Sequence, residues 1–120
     1  MKLTNVLYIE DDPDTRLLQA RLWRTFDGHV QVASPEQWDV LQGSFKWVLL
    51  DFYLGADTAL DWIPKVSARF PDARIALLSN VDAEHPNLRQ VTSLGFQSFS
   101  KPMRVEDLIE WTSTTVVNSD

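Results

Sequence analysis

Three short apolar runs, VLYI at residues 6–9, WVLL at 47–50 and IALL at 75–78, each stop at a residue that an apolar core rejects: Glu10, Asp51 and Ser79. Four apolar side chains without alternation are what a strand covered on both faces looks like, and such strands belong to parallel sheets flanked by helices. An unpaired carboxylate is costly to bury. Asp51, directly after Val48, Leu49 and Leu50, therefore has to stand where its strand leaves the core.

The segments between these runs read as helices. In DDPDTRLLQARLWRTF, Leu18, Leu22 and Phe26 recur four apart and predict one apolar face, with Asp12 as cap, Pro13 in the first turn and Gly28 as the stop. HVQVA alternates as a strand, and SPEQWDVLQG repeats the start and stop signals with Ser34, Pro35 and Gly43, predicting a second helix. TALDWIPKVSARF puts Leu60, Ile63, Val66 and Phe70 on one face, and Pro64 predicts a late start or a bend. HPNLRQVTSLG gives a fourth helix ended by Gly95, FQSFSK a weak fifth strand, and RVEDLIEWTSTT a last helix whose β-branched TSTTVV continuation is a poor helix former. Five strand signals interleaved with five helix signals predict an α/β three-layer sandwich with a parallel sheet.

Composition limits what such a domain does. With 120 residues, 44% of them apolar, the chain is expected to form one domain with a real core. It has no cysteine, which rules out thiolate metal sites and disulfides and suits a cytoplasmic protein. A formal net charge of −6 argues against direct nucleic-acid binding. No stretch is long and apolar enough to insert in a membrane, and acids follow the first residues too soon for a secretory signal.

In open parallel sheets, ligands bind beyond the carboxyl ends of the strands. Glu10 and Asp11, Asp51, Ser79 and Lys101 all stand at such ends. Three acids converging there repel one another unless a hard divalent cation intervenes, and magnesium (or manganese) is the natural choice. A hydroxyl and an ammonium opposite them supply donors for phosphate oxygens. The set describes a carboxylate that accepts a phosphoryl group.

The order IEDD, LLDFYLG, LLSN and SKP, spanning essentially the whole chain, resembles the receiver (CheY-like) domain of bacterial two-component response regulators. The resemblance implies a flavodoxin-like fold with a five-stranded sheet in order 2-1-3-4-5, and a single receiver domain over residues 1–120. It implies that Asp51 is the phosphoacceptor, that Asp11 binds the metal directly with Glu10 assisting and the Tyr53 main-chain carbonyl as a further ligand, and that Ser79 and Lys101 hold the phosphoryl group. The implied partners are a sensor histidine kinase or histidine phosphotransfer domain, and a downstream protein target or output domain, with a homodimer as one arrangement. Such a chain is a signalling switch that catalyses its own phosphorylation and dephosphorylation rather than a turnover enzyme. Whether it stands alone or is a piece of a longer protein is left open.

Departures from the family pattern accompany the matches. Gly55 stands where a proline is common and Ala59 where a glycine is usual, which suggests a looser loop. Ser98 occupies the place of a buried aromatic switch, with Phe99 one residue later, so output is expected not to use that switch. Tyr53 and Val81, which flank the path of attacking water in the family, suit water positioning poorly and predict slow dephosphorylation.

Plainer readings stand beside these. Asp12 reads as a helix cap rather than a ligand, Ser79 as a hydroxyl satisfied by its own turn, and the five tryptophans as packing residues. An aspartyl phosphatase would need a second acid where Tyr53 stands, and EDDPD would repel the phosphate of a flavin. The serious rival is a receiver-like interaction module that is never phosphorylated.

Overall fold

The computed structural model describes residues 4–82 and 84–113. The chain runs β1 (Asn5–Ile9), α1 (Pro13–Leu22), β2 (His29–Ala33), a 3₁₀ helix (Pro35–Val40), β3 (Trp47–Leu50), β4 (Tyr53–Leu54), β5 (Asp57–Thr58), α2 (Ala59–Arg69), β6 (Arg74–Ser79), α3 (Pro86–Thr92), β7 (Gln97–Ser100) and α4 (Val105–Ser113). Five strands form one parallel sheet in order β2-β1-β3-β6-β7, the sandwich topology that the sequence predicts. The part of the last helical signal beyond Ser113, with its β-branched continuation, lies outside the described residues.

The apolar runs are buried on both faces because successive side chains alternate. Leu7, Ile9, Val48, Leu50 and Leu77 pack under the 3₁₀ helix, α2 and α3. Val6, Tyr8, Trp47, Leu49, Ala76 and Leu78 pack under α1 and α4, with Trp23, Leu108 and Trp111. The tryptophans are packing residues: Trp23, Trp47, Trp62 and Trp111 are buried, and Trp38 packs edge-on against Trp62.

Four local expectations are corrected. Helix α1 turns inward not the stripe of Leu18 and Leu22, which are 48% and 38% exposed, but the side holding Gln19, which is fully buried. The Gln19 carboxamide pairs with the Met103 backbone, donating to its carbonyl at 3.1 Å and accepting from its N–H at 2.7 Å, and the Trp23 indole donates to the same carbonyl at 2.9 Å. A polar side chain thus takes the inner position because backbone groups there need partners.

The helix ends at Leu22, before Gly28. A Cβ on Gly28 would lie 2.5 Å from the Thr4 carbonyl, so that glycine permits a close backbone approach rather than stopping the helix. The second helical signal becomes a six-residue 3₁₀ helix, started by a Ser34–Gln37 capping box and left at Leu41 in extended conformation. Helix α2 runs through Pro64 from Ala59, and its inner line is Ala59, Trp62, Val66 and then Phe70, with Leu60 and Ile63 at its flanks.

The loop after Asp51 takes a regular form. It folds into the β4-β5 hairpin, pairing Tyr53 with Thr58 and Leu54 with Asp57. Gly55 has φ +67 in its turn, a conformation closed to the proline that the family pattern prefers. Ala59 is fully buried and donates its N–H to the Phe52 carbonyl at 2.8 Å.

Gln19→Ala is expected to lower stability by about 1–3 kcal/mol, because the Met103 N–H would be left buried without an acceptor. Urea denaturation followed by tryptophan fluorescence measures it, and an unchanged midpoint would show that the amide is dispensable.

Candidate functional site

The sheet ladder continues one bond past three strands and thereby sets the site. The Glu10 N–H donates to the Ala33 carbonyl at 2.9 Å, Asp51 N–H to the Ile9 carbonyl at 3.0 Å, and Lys101 N–H to the Ser79 carbonyl at 3.0 Å. These residues line one open crevice of about 380 Å³ at the carboxyl ends of the strands, with Ser79, Asp12, Tyr53 and Val81 among its walls.

Glu10, Asp51 and Ser79 are three of the four buried polar residues among those described, Glu10 being 1% exposed. Between the two acids sits the Lys101 ammonium, 2.5 Å from Glu10 Oε1 and 3.0 Å from Asp51 Oδ1. Glu10 is further satisfied by the Tyr8 hydroxyl, which donates to Oε1 at 2.5 Å, and by the Asp12 N–H, which donates to Oε2 at 3.0 Å. Burial works against the Glu10 charge, but Lys101 and then Tyr8 hold its carboxyl below the usual carboxylate range. Burial first, and Glu10 second, push Asp51 up to about 7 against the pull of Lys101. The Tyr8 hydroxyl, pushed upward by burial and by Glu10, stays a donor.

Asp11 does not join the crevice: it is exposed, and among the described residues no group of three acids or histidines is arranged to hold a metal. Consecutive side chains leaving an extended strand point to opposite sides, so Glu10 turns in and Asp11 out. The Arg16 guanidinium fastens this turn by donating to the Glu10 carbonyl at 2.7 Å and the Asp11 carbonyl at 3.0 Å. Asp12 caps α1, accepting from Thr15 N–H at 2.9 Å, and also lines the crevice. The Ser79 hydroxyl oxygen accepts from Val81 N–H at 2.8 Å, as its turn reading expects, while its side chain borders Asp51 in the same crevice. Tyr53 and Val81 both stand on the crevice wall.

Ser98 and Phe99 point to opposite faces of β7. Phe99 packs edge-on against Trp111 at 6.0 Å in the α1/α4 layer, while Ser98 pairs with Leu77 on the side where Ser79 lies. Tyr8, Gln19 and Arg16 are the site-building residues that the motifs miss. A tyrosine in a run buried on both faces carries the clue, since its hydroxyl must find a partner.

No family model and no curated protein matches the sequence. Solved structures do match the fold. A response regulator from Burkholderia pseudomallei, crystallised with a phosphorylated aspartic acid, a calcium ion and citrate, is 25% identical over 88% of this chain with a TM-score of 0.73. The chain spans 64% of that protein's length. A CheY-like receiver domain protein of Methanospirillum hungatei gives a TM-score of 0.74 at 16% identity, covering 93% of this chain and 92% of its own. A chemotaxis response regulator of Vibrio cholerae gives 0.71 at 16%, covering 93% and 98%. The fold is that of a response-regulator receiver domain. Residues of IEDD, LLDFYLG, LLSN and SKP meet in the one crevice at the strand ends.

The raised Asp51 carboxyl gives this receiver fold a stability signature. A carboxyl whose folded value lies above its unfolded value contributes stability below the unfolded value and loses it as pH rises toward about 7. Glu10, shifted the other way, loses its contribution only in more acidic solution. In metal-free buffer Asp51→Asn is therefore expected to gain on the parent between pH 5 and pH 8, by about 4 °C in melting temperature per kcal/mol removed. Thermal melts at the two pH values measure the gap, and a gap that narrows as pH rises would refute the buried-acid account.

Proposed function

We propose that the chain is a receiver that takes a phosphoryl group onto Asp51 and changes its partner binding in response. The observation that carries this reading is the Lys101 ammonium 3.0 Å from Asp51 Oδ1 in an open crevice at the strand ends. In the proposed step an Asp51 oxygen attacks the phosphorus of a phosphohistidine. The new P–O bond forms as the P–N bond breaks in line, and the imidazole leaves with the electron pair and is then reprotonated from water. Lys101 neutralises charge on the transferred oxygens, and the Ser79 hydroxyl donates to one of them.

A divalent cation fits the donor set: two carboxylates, Glu10 and Asp51, face the crevice, and a hard ion takes oxygen ligands while keeping several waters. Glu10, Asp51, the Tyr53 main-chain carbonyl and Asp11, after a turn of its side chain, are the residues that would hold magnesium or manganese. Its chemistry there is to offset the negative charge gathered around phosphorus. The phosphorylated aspartate and calcium of the Burkholderia response regulator support the same pairing of acyl phosphate and divalent ion.

The donor is a sensor histidine kinase or a histidine phosphotransfer domain, and the receiver works as a switch rather than a turnover enzyme. Its target is a protein or an output domain, with no direct role for nucleic acid, and a homodimer is one form of the output. The cytoplasm is the expected place of work. Among the described residues no helix is long and apolar enough to cross a membrane.

A second reading, a receiver-like module that binds partners without phosphorylation, is favoured by the outward Asp11 and by Lys101 already neutralising both buried acids. Intact mass after incubation with acetyl phosphate separates the two. One phosphoryl group is expected with magnesium and none without it or in Asp51→Asn, whereas no gain in the folded parent selects the binding module. Once formed, the phosphorylated state is expected to decay slowly. Tyr53→Asn with Val81→Glu, on the two walls flanking Asp51, should shorten its lifetime about tenfold by orienting water, a typical gain from placed acid–base groups being at least tenfold larger. The decay of bound phosphate over time measures it, and an unchanged lifetime would count against water access as the control.

A further inference from the structure

Arg16 has no part in the transfer step, yet it reaches back from α1 to the acid pair. One guanidinium nitrogen, Nη1, donates to two successive carbonyls, that of Glu10 at 2.7 Å and that of Asp11 at 3.0 Å. These carbonyls belong to the two peptide planes on either side of the Asp11 Cα. Only the torsions φ and ψ lie between rigid planes, so holding both planes fixes the direction of the Asp11 Cα–Cβ bond. The second plane is held at its other end too, where the Asp12 N–H donates to Glu10 Oε2 at 3.0 Å. Arg16 stands on a firm base: its own N–H donates to the Asp12 carbonyl at 3.0 Å, and the Asp12 side chain accepts from the Thr15 N–H and hydroxyl.

The Asp11 side chain is exposed, so its backbone is set while its carboxylate turns in water. We propose that Arg16 is a positioning residue for the divalent cation: by fixing the backbone at Asp11 it leaves only side-chain rotation to be ordered when that acid turns to the ion. This rests on the reading that the crevice takes a divalent cation, and not on phosphoryl transfer, which the test does not use. The guanidinium also carries a positive charge, which repels a cation. The two effects differ in sign: loss of the hold weakens ion binding, whereas loss of the charge alone strengthens it.

The test is Mn²⁺ binding to the metal-free protein, read from the electron paramagnetic resonance signal of the ion left in solution, in a double-mutant cycle of Arg16→Met and Asp11→Ala. Methionine is about as good a helix former as arginine, so α1 is kept. Arg16→Met is expected to raise the Kd about tenfold while Asp11 is present, the factor that fixing the backbone of one residue carries, and to change it less than about twofold beside Asp11→Ala. Arg16→Lys, whose single nitrogen has donors enough for both carbonyls, should recover most of the loss. Equal weakening in both backgrounds, or no recovery by lysine, would reduce Arg16 to a support of α1, and tighter binding by Arg16→Met would make it a charge that opposes the ion; each of these overturns the proposal. A parent that takes up no Mn²⁺ would remove the cation reading and the proposal with it, whereas a parent that binds and is matched by Arg16→Met would remove the proposal alone.

Discussion

One ammonium group, that of Lys101, allows two buried carboxylates to share the floor of an open crevice. At 2.5 Å from Glu10 and 3.0 Å from Asp51, it holds together charges that would otherwise repel each other at low dielectric. The sharing is uneven. Glu10 has three donors and stays charged, whereas Asp51 has one ammonium contact and is the acid that burial destabilises.

That charge balance depends on where the backbone puts its three members. None of them sits on a free loop. The ladder bonds from Glu10, Asp51 and Lys101 fix each residue one step beyond its strand, and Gln19 with Trp23 grips Met103 just past Lys101. The clamp comes from the layer opposite α2 and α3, so the lysine is steadied by the α1 side of the sheet while the crevice opens at the strand ends. The hairpin of β4 and β5 adds Tyr53 to the crevice wall, with Ala59 tied to Phe52.

The parts of this arrangement that were legible in the sequence are those set by chain-local rules. Continuous apolar runs specify doubly covered strands, alternation specifies HVQVA, and a polar residue after an apolar run marks a strand end. The parts that were not legible depend on partners distant in sequence. The inner face of α1 follows from Gln19 meeting Met103, 84 positions away, against the local pattern of leucines. The hairpin after Asp51 depends on Gly55 taking φ +67, which a glycine permits but does not demand. Asp11 was placed with the acids because spacing says nothing of which of two adjacent side chains turns inward. Tyr8 was hidden because its ring satisfied the apolar pattern while its hydroxyl served the site.

The sidedness of β7 follows from the same alternation and bears on how the crevice communicates with the surface. Phe99 belongs to the layer of Trp111, with the sheet between it and Ser79, so its ring has no direct route to the hydroxyl. Ser98, on the side of Ser79, carries too small a side chain to sweep out a packing change. Close contact leaves the crevice along the segment from Lys101 to Met103 and from there Gln19 and Trp23, together with the Tyr8 ring that packs edge-on against Trp23. Two of the charged groups in the crevice, Glu10 through Tyr8 and Lys101 through Met103, are thus joined to one indole. Both of these supports are anchored in the α1 layer.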